Sequence, residues 1–157
     1  MRVKAWLKAT FGLAVVAALV IGLGGTRARA SDLSSPVGNW RTIDDRTNKV
    51  DGSVQIYERD GLLFGRITGI ADPKLQAALC HNCSGYAENQ PVMGLVVIQN
   101  MHADGGRWIG GTILNPQDGQ VYHCKMHLGP DGQTLIVRGY IGTPMLGRTQ
   151  TWQRLPG

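Results

Sequence analysis

Beyond residue 35 the chain alternates apolar and polar positions in short runs, separated by clusters of Gly, Pro, Asn and Asp. Such a period of two marks half-buried β-strands. The pattern predicts strands over 36–43, 53–58, 62–70, 92–99, 107–114, 121–128, 134–141 and 148–154. In the second of these Val54 and Ile56 share one face, whereas 92–99 is nearly all apolar and reads as a buried strand. Asp60-Gly61, Gly105-Gly106, Asn115 to Gly119 and Gly129 to Gly132 are turn sequences, since Gly, Asn and Asp tolerate the backbone angles of tight turns.

One segment, 71–91, is too long for a hairpin loop. Asp72-Pro73 is a helix start, with Asp at the N-cap and Pro at the first helical position, so a short helical turn is expected over 74–79, ending at Cys80. Eight short strands joined mostly by tight turns predict an all-β fold, a small antiparallel up-and-down barrel. An open two-sheet sandwich is the competing architecture. In the barrel the last strand pairs with the first, around Gly38-Asn39-Trp40, and the two join along one seam. Glycines within strands, such as Gly65, Gly110 and Gly139, fit the bends that a small barrel requires.

Residues 1–30 stand apart. Arg2, Lys4 and Lys8 precede an apolar run over 11–24, and Ala28 and Ala30 form a small-residue cleavage pattern. These are the marks of a secretory signal peptide cut after Ala30, leaving one domain over 31–157 that is expected in the periplasm. The run is short of the ~20 apolar residues that a membrane span needs, so no transmembrane segment is expected once the signal is removed. The signal also changes the charge balance. The chain carries 16 Lys+Arg and 11 Asp+Glu, a net +5. Five of the basic residues and none of the acidic ones fall in 1–30, which leaves the remainder neutral. Nucleic-acid binding needs clustered positive charge and is not expected.

The three cysteines are Cys80, Cys83 and Cys124. In an oxidising compartment Cys80-x-x-Cys83 is expected to be a structural disulfide tying down the long loop, with Cys124 the alternative partner of either thiol. A redox dithiol fits less well, because reactive pairs sit at a helix N-terminus, whereas here the expected helix precedes Cys80. A zinc site would need Cys80, Cys83, Cys124 and one of His81, His123 or His127. With Cys124 and Met126 facing the core, His123 and His127 point outward, about 13 Å apart at roughly 3.3 Å per residue. No catalytic constellation emerges from the remaining residues, since the acidic ones (Asp44, Asp45, Asp60, Asp104, Asp118, Asp131) mostly mark turns. No enzyme activity, metal or cofactor is therefore expected. Pro144-Met145-Leu146 is an apolar loop tip, expected to pack on the barrel end; a lid and a docking point are the alternatives.

Gly38-Asn39-Trp40-Arg41-Thr42, Cys80-x-x-Cys83, Gly110 to Pro116, Tyr122-x-Cys124-Lys125 and Arg138 through Trp152 together resemble the exported bacterial family known as domain of unknown function 2147. The resemblance spans 31–157 and implies export from a bacterial cytoplasm; it brings no activity and no catalytic residues. Gly38-x-Trp40 with a basic residue on the last strand, Arg154 or Arg148, also resembles the closure of calycin barrels, the lipocalins and fatty-acid-binding proteins. That resemblance implies a calycin-like seam of Gly38, Trp40, Arg148, Trp152 and Arg154, and a ligand cavity. The expected role is non-catalytic binding of a small apolar or amphipathic ligand by a monomer, in a cavity lined by Val54, Ile56, Ile67, Val96, Ile113, Met126 and Val137. A barrel filled by its own side chains, serving as an envelope structural or interaction module, is the alternative. A thiol-redox or zinc-dependent enzyme is the third.

Overall fold

The computed structural model describes residues 33–157, so the signal peptide expected over 1–30 and its expected cleavage pattern at Ala28 and Ala30 lie outside the described residues. Eight strands follow one another: β1 (Gly38–Ile43), β2 (Val50–Arg59), β3 (Leu62–Ile70), β4 (Val96–Asp104), β5 (Arg107–Leu114), β6 (Val121–Leu128), β7 (Thr134–Tyr140) and β8 (Gly147–Arg154). Each pairs antiparallel with the next, and β8 returns to β1, so the sheet is a closed up-and-down barrel. Closure gives every strand a neighbour on both sides, which reduces the template that an open edge offers to other chains.

Two expected boundaries shift. β4 begins at Val96 rather than at residue 92. Residues 92–95 instead make a turn, in which the Leu95 N–H donates to the Val92 carbonyl at 3.2 Å and the Val92 N–H donates to Ala78 at 2.9 Å. The apolar run was long enough for a strand, but its first four residues dock the preceding loop. The helix expected over 74–79 is a single 3-10 turn, Pro73–Leu75; the Asp72 side chain accepts from the Lys74 N–H, as a capping Asp does. The remainder of 71–95 forms a strap across one end of the barrel, held by a bridge between Leu79 and Pro91.

The β1–β8 seam is short, with Trp40 opposite Arg154 and Arg41 opposite Gln153. Side chains reinforce it. The Arg154 guanidinium lies 4.3 Å from the centre of the Trp40 ring. It donates to the carbonyls of Gly132 (2.8 Å), Val37 (3.1 Å) and Ser35 (2.7 Å). Trp40 donates its indole N–H to Pro36 at 2.7 Å. A planar guanidinium can stack and donate in its own plane at once, which a lysine cannot. Gly38 is required here: its φ is +143°, and a Cβ would come within 3.1 Å of the Arg154 guanidinium.

The barrel interior divides along its axis. Towards the seam end, Trp40, Ile56, Leu63, Ile98, Met101, Met126 and Leu135 are buried and fill the space. That end is covered by the short connections after β2, β4 and β6. The opposite end carries the longer β1–β2, β5–β6 and β7–β8 loops and the strap, and there the interior is open.

Candidate functional site

At the loop end a cavity of about 580 Å³ enters the barrel. Val54, Ile67, Ile113 and Val137 form its apolar wall, and Trp152 lies at its floor. These residues face inward because a strand alternates its side chains across the sheet: Val54 pairs with Ile67, and Val137 pairs with Gln150. The strap contributes Leu75, Ala78 and Leu79 to the wall, and the β7–β8 loop contributes Leu146.

Three residues expected in this lining do not line it. Ile56 and Met126 point into the barrel, but they lie in its filled half, each about 1% exposed. Val96 borders a small hollow on the outside of the strap with Met93 and Tyr86, and the Tyr86 hydroxyl donates to the Val96 carbonyl at 2.9 Å. Its neighbour Val97 lines the cavity instead. Gly65 pairs with Ile98 and Arg66 with Val96, so Val97 is an extra residue at a register shift, and such an irregularity re-aims the side chains beside it.

The mouth is polar. Arg148, on β8, also lines the cavity and takes no part in covering Trp40. Its guanidinium grips Asp45 of the β1–β2 loop in a two-pronged ion pair, with Nε donating to Oδ2 at 3.2 Å and Nη2 donating to Oδ1. That hydrogen bond pushes the Arg148 pKa further up. Across the mouth, Asp118 accepts from the Asn115 amide at 2.9 Å, the Gln120 N–H at 2.8 Å and the Tyr122 hydroxyl at 3.2 Å. Burial first, then the Asp118 charge, push the Tyr122 pKa up. Asp51 also lines the cavity. Thr42 pairs with Gly52 and Ile43 with Val50, so Asp51 is an extra residue, a β-bulge; bulges re-aim side chains. Its carboxylate still meets solvent, yet the surrounding barrel wall removes enough water to push its pKa up, with Asp44 adding a smaller like-charge effect.

Cys80 and Cys83 are joined in a disulfide at the tip of the strap. The tip rests on the β5–β6 turn, where the Asn82 amide donates to the Gln117 carbonyl at 3.1 Å. Contact there is close: a Cβ on Gly119, whose φ is +73°, would fall 1.8 Å from the Asn82 carbonyl oxygen. Cys124 is a free thiol in the barrel wall, and burial pushes its pKa up to about 12, which removes its reactivity at neutral pH. Cys124 therefore does not take up the alternative pairing. Among the described residues no three His, Cys, Asp or Glu side chains come together in a way that could hold a metal ion. The apolar loop tip does not pack down on the barrel, with Met145 89% and Leu146 78% exposed. Arg138 holds the loop in this position by donating to the Pro144 carbonyl at 2.7 Å and the Met145 carbonyl at 3.3 Å.

Sequence comparison matches residues 38–154 to the family described as "Uncharacterized protein conserved in bacteria (DUF2147)". No curated protein sequence matches the chain. Among solved structures the chain is similar to protein HP1028 from the human pathogen Helicobacter pylori, described as belonging to the lipocalin family. The TM-score is 0.68 at 20% identity, covering 78% of this chain and 84% of that one. At that identity the likeness is one of fold. A mutant of the fluorescent protein UnaG also matches, with a TM-score of 0.44 at 13% identity over 77% of this chain and 96% of that one.

Proposed function

The chain belongs to the DUF2147 family of bacterial proteins, and we propose that it is an exported, single-domain barrel that binds a small apolar or amphipathic ligand at its loop end. The observation that carries this reading is the 580 Å³ cavity, within the 300–1,000 Å³ range of small-molecule sites. Its wall is apolar, its mouth is polar, and the strap lies over it. Such a lining suits a molecule with an apolar body and a polar end. The lipocalin-family description of the H. pylori protein supports the same reading by likeness of fold. The signal-peptide pattern of residues 1–30 and the Cys80–Cys83 disulfide support export to the periplasm, where disulfides persist.

The test uses an uncharged fluorescent probe, N-phenyl-1-naphthylamine, with native mass spectrometry of protein isolated from the periplasm. Saturable binding of one probe per chain, abolished by Val137→Trp and by Ile113→Trp in folded protein, is the expected result. Binding that ignores both plugs would sink the proposal, as would no binding at all.

A further inference from the structure

The charges at the mouth narrow the class of ligand. This step rests on the cavity reading above and asks which polar end the mouth accepts. Arg148 is the sole Lys or Arg among the described residues that line the cavity. A barrel built to hold a fatty-acid carboxylate would keep such a guanidinium available. Here Asp45 occupies it with both carboxylate oxygens. The remaining acidic side chains of the lining are Asp51 and Asp118, and the one histidine of the lining is His81 on the strap. Lys49 and Lys74 lie on flanking segments and are not part of the lining. With Asp45 and Arg148 cancelling, the mouth retains two negative charges.

Of these two, Asp118 is already satisfied by three donors. Among the described residues no hydrogen bond engages the Asp51 carboxylate, and the bulge that turns it into the mouth interrupts the β1–β2 ladder. The Tyr122 ring lies in the same lining, and an aromatic face attracts a positive head group, above all a quaternary ammonium. A carboxylate ligand would have to compete with Asp45 for Arg148 and would sit beside two like charges. An ammonium ligand meets Asp51, Asp118 and an aromatic ring, with its chain against Val54, Ile67 and Val137.

We propose that the cavity selects single-chain amphiphiles with a cationic head group over those ending in a carboxylate, with Asp51 the principal selector. The probes are dodecyltrimethylammonium and dodecanoate, each below its micelle concentration, and dodecanol below its solubility limit, competing with N-phenyl-1-naphthylamine. The expected order is cation, then alcohol, then carboxylate, with on the order of a tenfold separation between the charged pair at low salt, shrinking as salt is added. Asp51→Asn should reduce that separation by at least half its logarithm. Equal affinities, a preference for dodecanoate, or a cation preference that survives Asp51→Asn in full would overturn the inference while leaving the cavity reading intact. Failure of all three chains to displace the probe would overturn both.

Discussion

The two ends of the barrel use arginines of the same strand in opposite ways. At the seam end Arg154 lies over Trp40 and donates to three backbone carbonyls. Each of its three nitrogens donates to the closure, and the interior beneath it is full. At the loop end Arg148 is more than half exposed and engages a single carboxylate, Asp45, above an open interior. Six residues along one strand therefore separate a structural cation from one placed at a site. The difference lies in the surroundings: the segment before β1 and the β6–β7 turn bring backbone carbonyls to Arg154, whereas the longer β1–β2 loop brings an acidic side chain to Arg148.

This contrast can be broken from either side. The largest effect is expected in the filled half, where Trp40→Ala should cost about 3–5 kcal/mol and Met126→Ala about 2–5 kcal/mol in chemical denaturation, because each leaves a void in packed surroundings. If either variant is as stable as the parent, the filled half does not carry the fold. The strap comes next. Cys80→Ser with Cys83→Ser should cost up to about 2 kcal/mol, since the bridge closes a very short loop, and should weaken probe binding more than it lowers the midpoint. Unaltered binding would mean that the strap is not part of the site. In the open half Val137→Trp should change stability by less than about 1.5 kcal/mol, because the added bulk enters existing space, while abolishing probe binding. A loss comparable to that of Trp40→Ala would show that the open half is packed after all.

The smallest effect concerns pH. The Asp51 pKa is raised in the folded protein, so the folded state binds the proton more tightly than the unfolded one. The contribution of this group to stability therefore falls as pH rises from the ordinary Asp range through the raised value. Neighbouring Asp44 is shifted down, chiefly by hydrogen bonds from Thr47, and works in the opposite sense. Denaturation curves of the parent and of Asp51→Asn across that window isolate the first effect: relative to the parent, the variant should gain stability with rising pH. Parallel curves would mean that Asp51 is fully solvated.

The period-two pattern made most strands legible, and β3, β5 and β6 begin and end as the alternation indicates, because each is amphipathic and flanked by strong turn residues. The run from residue 92 misled because apolar residues that dock a loop look like the start of a buried strand. Alternation also separates inward from outward residues but carries no information on depth along the barrel axis. Ile56 and Val54 are equivalent in the sequence, yet one fills and the other lines. The mouth was the least legible part. Asp45 and Asp118 were recognisable as turn residues, and Asp118 does cap its turn. The Asp118–Tyr122 contact spans only four residues, but the meeting of Asp45 with Arg148 joins loops 103 positions apart, which no local pattern encodes. The bulge at Asp51 left no signal beyond a polar residue next to Gly52.

The brevity of the β1–β8 seam has a consequence in time as well as in space. Seven of the eight strand junctions join neighbours along the chain and can zip up locally; the eighth brings together Val37 and Arg154, which are 117 positions apart. Closing so long a loop is entropically expensive until the hairpins between have formed. Arg154 then acts as the latch of a ring that shuts last. Weakening it should hasten unfolding and leave the refolding rate almost untouched, a signature confined to one arm of the chevron.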